Sequence, residues 1–299
     1  MSKSFTLIEI LVVIVIIGII SGFIIVGMSS VSSKATIAKG QAFSSSMKNS
    51  LMLNLISEWN LDDGSGTQTS TADTWGGGNN GTLTNFAFDS TDGWKTGADC
   101  VKGSCVLFDG TNDHITCGTG SNLRPNEQIT VEAWIKPAQD YTVGDAAWYA
   151  RFVQRNSTYL FGWEGWHDGM GYGIYDETAT WYAGGFTYPI YTNNWYHVAF
   201  SFDGRYLRGY ANGDIKNTFD TGASHTINNI SNDLTIGGTS YYFHGTMDTI
   251  RVYGASIPTS QIQENYYSGL NRLLTSNSVA VGDYSQRLAE LKLNLAHND

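Results

Sequence analysis

An uninterrupted apolar run near the N-terminus constrains this chain more than any other sequence feature. From Ile10 to Ser33 there are 24 consecutive residues without a charge, although charged residues make up 15% of the whole chain. About 20 apolar residues are enough for a helix to cross the hydrocarbon core of a bilayer. The run therefore predicts a long hydrophobic α-helix that lies in a membrane. Small and apolar residues continue at helical spacing, which extends the predicted helix to residue 56.

The chain as a whole has a turn-rich and aromatic-rich composition. Its 299 residues include 34 glycines, and 13% of them are aromatic, unlike a helical bundle or a disordered chain. The 17 basic residues are outnumbered by 27 acidic ones, so the net charge is −10. Proteins that follow nucleic-acid phosphates cluster Lys and Arg, so this balance argues against a nucleic-acid partner.

A single carboxylate, Glu9, stands at the start of the apolar run, where a charge is costly in hydrocarbon and needs a partner. The residues from Ser4 to Glu9, SFTLIE, followed by the long apolar segment, resemble the N-terminus of type IV pilins and type II secretion pseudopilins. The resemblance implies that a prepilin peptidase removes residues 1–4 by cutting between Ser4 and Phe5, and that Phe5 is then N-methylated. It also implies that the helices of residues 5–56 assemble into a filament core. The family usually has glycine where this chain has Ser4.

The amine that cleavage creates on Phe5 offers Glu9 a partner. In a low-dielectric environment, pairing Glu9 of one subunit with Phe5 of its neighbour offsets the desolvation of both charges. The alternative is an ordinary signal anchor in which Glu9 reaches the lipid headgroups, although such anchors normally carry more flanking Lys or Arg. Under the pilin interpretation, the apolar run is a polymerisation element that is stored in the membrane until assembly.

Beyond residue 57, short alternating segments broken by glycine, asparagine and aspartate replace the helical pattern. On the segment that begins at Thr130, Val131, Ala133 and Ile135 share one face, and Asn212-Gly213 is a favoured two-residue hairpin turn. The predicted strands are residues 130–136, 196–202, 207–211 and 246–253. About 200 residues of this kind favour one β-sandwich over two small domains.

Six phrases in this region resemble, in the family's order, laminin-G-like, concanavalin A-like lectin domains. They begin at residues 59, 78, 107, 131, 194 and 245, and read WNLDDGSG, GNNGTL, LFDGTNDHI, VEAWIK, NWYHVA and GTMDTIRVY. The resemblance covers residues 57–268 and implies a mainly β fold, a jelly-roll sandwich of two antiparallel sheets. Members of the family bind glycans or protein ligands, and some related folds are glycosidases.

Aspartates within these phrases are candidate calcium ligands. Ca²⁺ takes about six to eight oxygen ligands from carboxylates, amides and backbone carbonyls. Related domains often bring the first and last strands beside a structural calcium, which makes Asp62, Asp109 and Asp248 the candidates. Asp248 has the strongest context, because related sandwiches use the equivalent carboxylate or its carbonyl. Alternatively, these aspartates cap turns by hydrogen bonding their own backbone.

Aromatic residues are dense between residues 148 and 188. Sugars pack their C–H faces on aromatic rings, and amphipathic aromatic side chains commonly line ligand sites. The candidate ligand-binding residues are Trp163, Trp166, Tyr172, Trp181 and Tyr182. Alternatively, many of these rings belong to the sandwich core, because large aromatics dominate core burial.

The spacing of the carboxylates argues against catalysis. Glycosidases need two carboxylates on opposite sides of the scissile bond, and laminarinase-like enzymes of this fold carry them as Glu-x-Asp-x-x-Glu on one strand. That spacing does not occur here: Glu132 stands alone on its strand, and Glu164 with Asp168 falls in a glycine-rich stretch. We therefore predict no enzymatic activity and no catalytic residue.

Two of the three cysteines lie close together. Cys100 and Cys105 close a short loop just before the LFDG segment, and an exported domain permits disulfides. We predict a disulfide between them, which leaves Cys117 as a free, buried thiol.

The C-terminal residues 269–299 are predicted to form a helical tail. A helix that opens with Pro258 is expected to end at Gly269, and a second helix is expected after Asp283. This tail docks on the chain's own N-terminal helix or on a neighbouring subunit, or else it frays.

These features predict a type IV pilin-like filament subunit that displays a lectin-like sandwich, with a structural and adhesive function. The expected partners are copies of itself, prepilin peptidase with the pilus assembly machinery, the membrane before assembly, and a glycan ligand. Calcium is the one cofactor expected, as a structural ion. We expect the chain in the cytoplasmic membrane before assembly and in extracellular surface filaments afterwards. The alternatives are a type II secretion pseudopilin and, less favoured, a membrane-anchored glycoside hydrolase of the sandwich fold.

Overall fold

The computed structural model describes residues 54–141, 149–165 and 169–297, with side chains as far as Leu291. The predicted N-terminal helix, which carries Ser4, Phe5 and Glu9, lies outside these residues. In the described part of the chain, no helix is long and apolar enough to cross a membrane.

Sixteen strands followed by two α-helices lie within the described ranges. The strands are β1 (Leu55–Trp59), β2 (Ser70–Thr71), β3 (Gly81–Thr84), β4 (Gly93–Thr96), β5 (Ser104–Asp109), β6 (His114–Thr116), β7 (Ile129–Pro137), β8 (Tyr149–Arg155), β9 (Tyr159–Glu164), β10 (Gly169–Tyr175), β11 (Trp181–Thr187), β12 (Tyr196–Phe202), β13 (Tyr206–Ala211), β14 (Asp214–Asp220), β15 (Leu234–Ile236) and β16 (His244–Tyr253). The helices are α1 (Thr259–Thr275) and α2 (Val281–His297).

The strands of the described residues form two eight-stranded sheets, paired antiparallel throughout. The front sheet has the order β14-β13-β12-β7-β16-β5-β4, and β1 pairs with the second half of β16. The back sheet has the order β11-β10-β9-β8-β15-β6-β3-β2. Strands that are adjacent in one sheet, such as β7 and β16, are distant in sequence, because the chain between them passes through the other sheet. The mainly β sandwich of two antiparallel sheets is therefore confirmed.

The space between the sheets is filled by side chains from alternate strand positions. On β7, Val131, Ala133 and Ile135 lie in this core, on one face as the alternation predicted. The neighbouring strand β12 adds Val198 and Phe200, and Val198 pairs with Ala133 in the register of the two strands. The strand periodicity in the sequence therefore identified the inward face correctly.

The C-terminal helices cover the outer face of the front sheet. Trp134 lies on the face of β7 that points away from the core, and it packs with Tyr266 and Leu270 of α1 and with Leu291 of α2. Both faces of β7 are thus covered, which explains why nearly all of its residues are buried.

The first helix does not end at Gly269, where the sequence predicted a stop, but continues to Thr275. A Cβ on Gly269 would lie 2.3 Å from the indole of Trp134. The glycine permits close approach of helix and sheet, and it does not terminate the helix. The two helices pack on the chain's own sandwich, so the described part of the tail is not a frayed end.

Asn212 and Gly213 form the hairpin connection that the sequence predicted. They join β13 to β14, and their φ angles are 51° and 79°. Two consecutive positive φ values are what a type I′ turn requires, and Asn-Gly accepts them most readily.

Candidate ligand cleft and acidic groups

A cleft opens at a rim of the sandwich, where the end of β5 meets the start of β16. Asp109 of β5 pairs there with His244 of β16. The volume of the cleft is about 240 Å³. It is lined by three tyrosines and several polar residues: Asp109, Gly110, Gln139, Tyr149, Ser240, Tyr241, Tyr242 and His244. Apolar ring faces and hydrogen-bonding groups therefore lie side by side in it.

Tyr149 and Tyr241 form an aromatic wall of the cleft, and the guanidinium of Arg151 packs against both rings. The ring centroids of Tyr149 and Tyr241 are 4.9 Å apart. The guanidinium of Arg151 lies 5.8 Å from the centroid of Tyr149 and 5.2 Å from that of Tyr241. Arg151 also forms an ion pair with Glu164, so the cation is itself held in place. The fold thus orients both rings, and Tyr241 remains 46% exposed.

Gly110 allows the two strand ends to meet closely at the cleft. Its φ is +78°, in the left-handed region, and a Cβ there would lie 2.6 Å from the Cβ of His244. A larger residue would therefore separate the turn after β5 from the first residue of β16.

Two of the five predicted ligand-binding aromatics lie in the core. Trp163 is 0% exposed and Tyr172 is 1% exposed. Trp163 packs against Tyr141, and Tyr172 stacks on Phe200 of the opposite sheet. Both side chains point inward from β9 and β10, so neither ring can contact a ligand in this fold. This corrects the prediction for these two residues.

The other predicted aromatics lie elsewhere. Trp181 and Tyr182 are on β11, the edge strand of the back sheet, with ring centroids 4.8 Å from Tyr175 and 4.4 Å from His225, respectively. Trp181 is 38% exposed, but neither it nor Tyr182 lines the cleft. Trp166 lies outside the described residues. A ligand-binding role for this edge stays a prediction.

The three predicted calcium ligands are divided between two places. Asp248 accepts an amide of the loop before β5, and Asp62 accepts the amide of Ser104, the first residue of that strand, whereas Asp109 is its last residue. A strand rises about 3.3 Å per residue, so the six residues of β5 hold its two ends too far apart for one ion. The predicted trio therefore does not form a single calcium site.

Protein donors already occupy the carboxylates of Asp248 and Asp62. Oδ2 of Asp248 accepts the amides of Val101 at 2.8 Å and Lys102 at 3.1 Å, and its Oδ1 accepts the hydroxyl of Thr249 at 2.7 Å. Asp62 pairs with the ammonium of Lys102 at 2.8 Å. Burial raises the pKa of Asp248 to about 7, and the charge of Asp62 adds to the shift. These two aspartates hold the loop in place.

The predicted disulfide joins that loop to the start of β5. Cys100 and Cys105 are bonded, with their Cα atoms 5.4 Å apart. Cys117 is free and buried, and burial raises the pKa of its thiol. Both predictions about the cysteines agree with the structure.

A second set of carboxylates lies at the other end of β5. One oxygen from each of Asp92, Asp109 and Asp113 lies within 4.8 Å of the other two. Burial, together with the charges of Asp109 and Asp92, raises the pKa of Asp113 to about 7. Burial also acts on Asp109, but amide hydrogen bonds from Thr111 and Asn112 outweigh it and lower the pKa of that carboxyl.

Glu132 belongs to a buried network beneath α1. It is 1% exposed, and its Oε1 accepts hydrogen bonds from Arg251 at 2.9 Å, Tyr253 at 3.0 Å and Asn265 at 2.9 Å. Burial disfavours its charge, but the hydrogen bond from His197 and the charge of Arg251 outweigh this and lower its pKa to about 2. Glu132 is thus a structural anion that ties the helix to the sheet.

Among the residues that line the cleft, sequence reasoning singled out Asp109 as a candidate calcium ligand, and Tyr149 lies in the aromatic-dense segment from residue 148 to 188. The signal for the tyrosine wall is the double glycine Gly237-Gly238 followed by two adjacent tyrosines, a pattern typical of an exposed turn with aromatic side chains. The contact between Tyr241 of this turn and Tyr149 depends on the sandwich topology, so the sequence alone does not show it. Asp113 stands in the same phrase as Asp109, but an aspartate after asparagine is typical of a turn residue.

Family comparisons agree with this architecture. Residues 109–263, more than half of the chain, match the laminin G type model of the concanavalin A-like lectin/glucanases superfamily. Residues 1–25 match the prokaryotic N-terminal methylation motif. None of the curated proteins compared with this chain matches it.

Solved structures with the same fold include domain 4 of AbnA, a GH43 extracellular arabinanase from Geobacillus stearothermophilus, in complex with arabinotriose. It is 21% identical with a TM-score of 0.54, over 71% of this chain and 97% of that domain. The binding domain of Paraclostridial Mosquitocidal Protein 1 is 14% identical with a TM-score of 0.57, over 74% of this chain and 53% of that one. The botulinum neurotoxin serotype D ligand binding domain in complex with N-acetylneuraminic acid is 14% identical with a TM-score of 0.52, over 73% and 51%.

The chain thus spans about half the length of these toxin domains and nearly all of the arabinanase domain. At these identities the likeness is one of fold. Because the family model matches more than half of this chain, the chain belongs to the concanavalin A-like lectin/glucanases superfamily, and it carries the N-terminal methylation motif of type IV pilin-like proteins.

Proposed function

We propose that this chain is a type IV pilin-like subunit whose sandwich binds carbohydrate in the rim cleft. One observation carries the proposal: a single chain joins a methylation motif at its N-terminus to a lectin-like sandwich. The motif is typical of type IV pilin-like subunits, and the sandwich supplies the part that meets a ligand.

The chemistry of the cleft suits a sugar. The exposed ring of Tyr241 offers an apolar face, while Gln139 and Asp109 offer hydrogen-bonding groups beside it. Its volume of about 240 Å³ is small for a ligand site, which favours one sugar unit of a larger glycan. The arabinanase and neurotoxin domains were solved with sugar ligands, which supports carbohydrate as the ligand class.

The N-terminal part of the proposal concerns assembly. Prepilin peptidase cleaves between Ser4 and Phe5, and the apolar segment holds the subunit in the cytoplasmic membrane. Glu9 then pairs with the methylated amine of Phe5 on a neighbouring subunit, which directs addition to the filament. The sandwich is displayed on the outside of the cell, where it acts in adhesion.

We propose binding and not hydrolysis at the cleft. Glycoside hydrolysis uses two carboxylates that flank the scissile bond. Asp109 is the one acidic side chain that lines the cleft among the described residues, and nearby Glu164 is engaged by Arg151. Release of reducing sugar from a panel of polysaccharides by the purified chain would contradict this part of the proposal.

A glycan array tests carbohydrate binding. The full chain, purified in detergent, is expected to bind a defined set of glycans, and Tyr241→Ala is expected to weaken that binding at least about tenfold because it removes the stacking face. Tyr191→Ala is the matched control, since Tyr191 is also exposed, at 49%, and does not line the cleft. A wild-type signal from Tyr241→Ala would exclude the cleft as the binding site.

The same array separates the cleft from the aromatic edge of β11. If Trp181→Ala abolishes binding while Tyr241→Ala preserves it, the predicted surface at Trp181 and Tyr182 is the ligand site. The cleft proposal expects the reverse result.

Filament assembly is tested separately. Glu9→Ala is expected to abolish surface filaments seen by electron microscopy while the sandwich remains folded. Filaments at wild-type yield in this variant would contradict the pairing of Glu9 with Phe5. Immunogold labelling of surface filaments distinguishes a pilin from a pseudopilin, which would give no label outside the cell.

A further inference from the structure

Among the described residues, the acidic group at the end of β5 has no positively charged partner. One oxygen of each of Asp92, Asp109 and Asp113 lies within 4.8 Å of the others. Among the residues that the structure describes, no Lys, Arg or His forms an ion pair with any of them. Carboxylates this close repel one another, and burial strengthens the repulsion.

Asp113 supplies a second, independent observation. Its side chain is 0% exposed, and its Oδ2 accepts the amide of Asp109 at 2.9 Å. Its Oδ1 is also buried and has no hydrogen-bond partner among the described residues. An unsatisfied buried acceptor is unfavourable, and native proteins rarely leave one without a partner. Between two further carboxylates, the partner that this oxygen requires is a proton or a cation.

Backbone amides hold the group in position. The two oxygens of Asp92 accept the amides of Ala87 at 2.8 Å and Phe88 at 2.6 Å, and Oδ1 of Asp109 accepts the amide of Thr111 at 2.7 Å. Each carboxylate oxygen has two lone pairs, so these bonds leave acceptor capacity on every member. The ligand atoms are thus arranged before any ion binds.

We propose that Asp92, Asp109 and Asp113 bind a calcium ion at the rim of the sandwich. All three offer hard oxygen ligands, and the group contains no imidazole or thiolate, so zinc is disfavoured. Calcium accepts irregular sets of oxygens, whereas magnesium gives up its water reluctantly and suits a fully buried ligand such as Asp113 less well. Backbone carbonyls and water complete the coordination.

The ion connects to the cleft through Asp109, which lines the cleft and also belongs to the acidic group. Calcium would fix the end of β5 opposite His244 and so organise one side of the cleft. This coupling rests on the proposed function of the cleft, whereas the calcium site itself does not.

Calcium binding is tested on the full chain in detergent after treatment with EDTA. Thermal unfolding is followed by tryptophan fluorescence with and without CaCl₂. Saturating Ca²⁺ is expected to raise Tm by about 5 °C, and MgCl₂ at the same concentration is expected to raise it less. An unchanged Tm in CaCl₂ overturns the proposal.

Asp113→Asn separates ligand loss from misfolding. Asparagine keeps the shape of the side chain and places N–H donors where the unpartnered oxygen lies, facing the carboxylates of Asp92 and Asp109. In EDTA the variant is therefore expected to be at least as stable as the wild type, while its calcium affinity falls at least about tenfold. Asp176→Asn is the matched control, because Asp176 lies in a different acidic group, with Glu177 and His225.

The control is expected to keep the wild-type calcium affinity. Wild-type affinity in Asp113→Asn, or a tenfold loss in Asp176→Asn, would place the ion elsewhere and overturn the assignment. Once a glycan ligand is found, EDTA is expected to weaken its binding to the wild type at least about threefold and to leave binding to Asp113→Asn unchanged. Equal glycan affinity of the wild type with and without calcium overturns the coupling. If the array finds no glycan, the shift in Tm and its loss in Asp113→Asn still decide the calcium site.

Discussion

The two ends of β5 place aspartates in opposite situations. At the start of the strand, Asp248 accepts two backbone amides and a hydroxyl, and Asp62 pairs with Lys102. At its end, Asp113 keeps one buried oxygen that has no hydrogen-bond partner in the described part of the chain. Burial raises the pKa of both Asp248 and Asp113 to about 7. The acidity of a buried carboxyl therefore does not reveal its role, and its hydrogen-bond partners do.

This difference separates a structural carboxylate from one that is open to a ligand. Removing the first leaves backbone amides without an acceptor, so it lowers stability. Removing the charge of the second relieves repulsion, so it lowers ion affinity and leaves stability intact. The following predictions test this comparison.

The largest expected effect is on the pH dependence of the free energy of unfolding, through Asp248 at the start of β5. Because the folded pKa of Asp248 is raised from 3.8 to about 7, its contribution is complete below about pH 4 and is lost as the pH rises through 7. At about 1.4 kcal/mol per pKa unit, this contribution reaches about 4 kcal/mol. Glu132 acts in the opposite direction: with a folded pKa of about 2, its contribution is lost as the pH falls from about 4.5 towards 2.

Urea unfolding of the full chain in EDTA between pH 2 and 8 measures both trends. The free energy of unfolding is expected to be greatest between about pH 4 and 5. Asp113, whose pKa is also raised to about 7, contributes to the decline in the same direction. Asp248→Asn is therefore expected to make the decline towards pH 7 shallower without abolishing it, because asparagine does not titrate. An equally steep decline in the variant would show that Asp248 is not responsible.

The second effect is the loss of the acceptor itself. Asp248→Ala leaves the amides of Val101 and Lys102 without a partner, which is expected to lower the free energy of unfolding by about 3 kcal/mol. Asp248→Asn keeps one carbonyl oxygen for these amides and is expected to lose less than half as much. Equal losses in the two variants, by urea unfolding at pH 7, would mean that the amides do not depend on this side chain.

The third effect concerns the disulfide that joins the same loop to β5. Cys100→Ser with Cys105→Ser is expected to lower the free energy of unfolding by about 2 kcal/mol, because the bond closes a short loop and restricts the unfolded chain. The loss is expected to be smaller than for Asp248→Ala, since Asp248 still binds the loop amides. Reduction of the wild type by dithiothreitol should reproduce it, and a variant as stable as the wild type would contradict the prediction.

The smallest effect is expected at the other end of β5. In EDTA at pH 7, Asp113→Asn should change the free energy of unfolding by less than about 1 kcal/mol, and upward, because it replaces a repelled carboxyl by a hydrogen-bond donor. A loss as large as that of Asp248→Ala, measured by urea unfolding, would make Asp113 a structural residue and remove the contrast.

Sequence patterns predicted the fold better than the site. The alternation at Val131, Ala133 and Ile135 identified the inward face of β7, because a strand side chain that faces a dry core must be apolar. The cysteine spacing identified the disulfide. The density of aromatics between residues 148 and 188 did not separate ligand-facing rings from core rings, since Trp163 and Tyr172 have the same chemistry in either place.

The cleft and the acidic group depended on contacts between distant segments. Tyr149 and Tyr241 lie 92 residues apart in sequence, yet their rings meet. Asp92 reaches Asp109 and Asp113 only because β4 pairs with β5. The spacing of residues along the sequence does not reveal such pairings. Asp62, Asp109 and Asp248 were therefore assigned to one ion, although Asp109 lies at the opposite end of β5 from the other two.

The sequence alone determined the family, the sandwich class and the apolar N-terminal segment, because periodicity, turn residues and motif phrases are local features of the chain. The tertiary structure decided which carboxylates have protein hydrogen-bond donors and which aromatic rings face outward. It also decided that Gly269 permits a helix to pack on Trp134. These properties depend on which atoms lie within about 3 or 4 Å of one another across the chain. The packing of the two sheets and the C-terminal helices sets those distances.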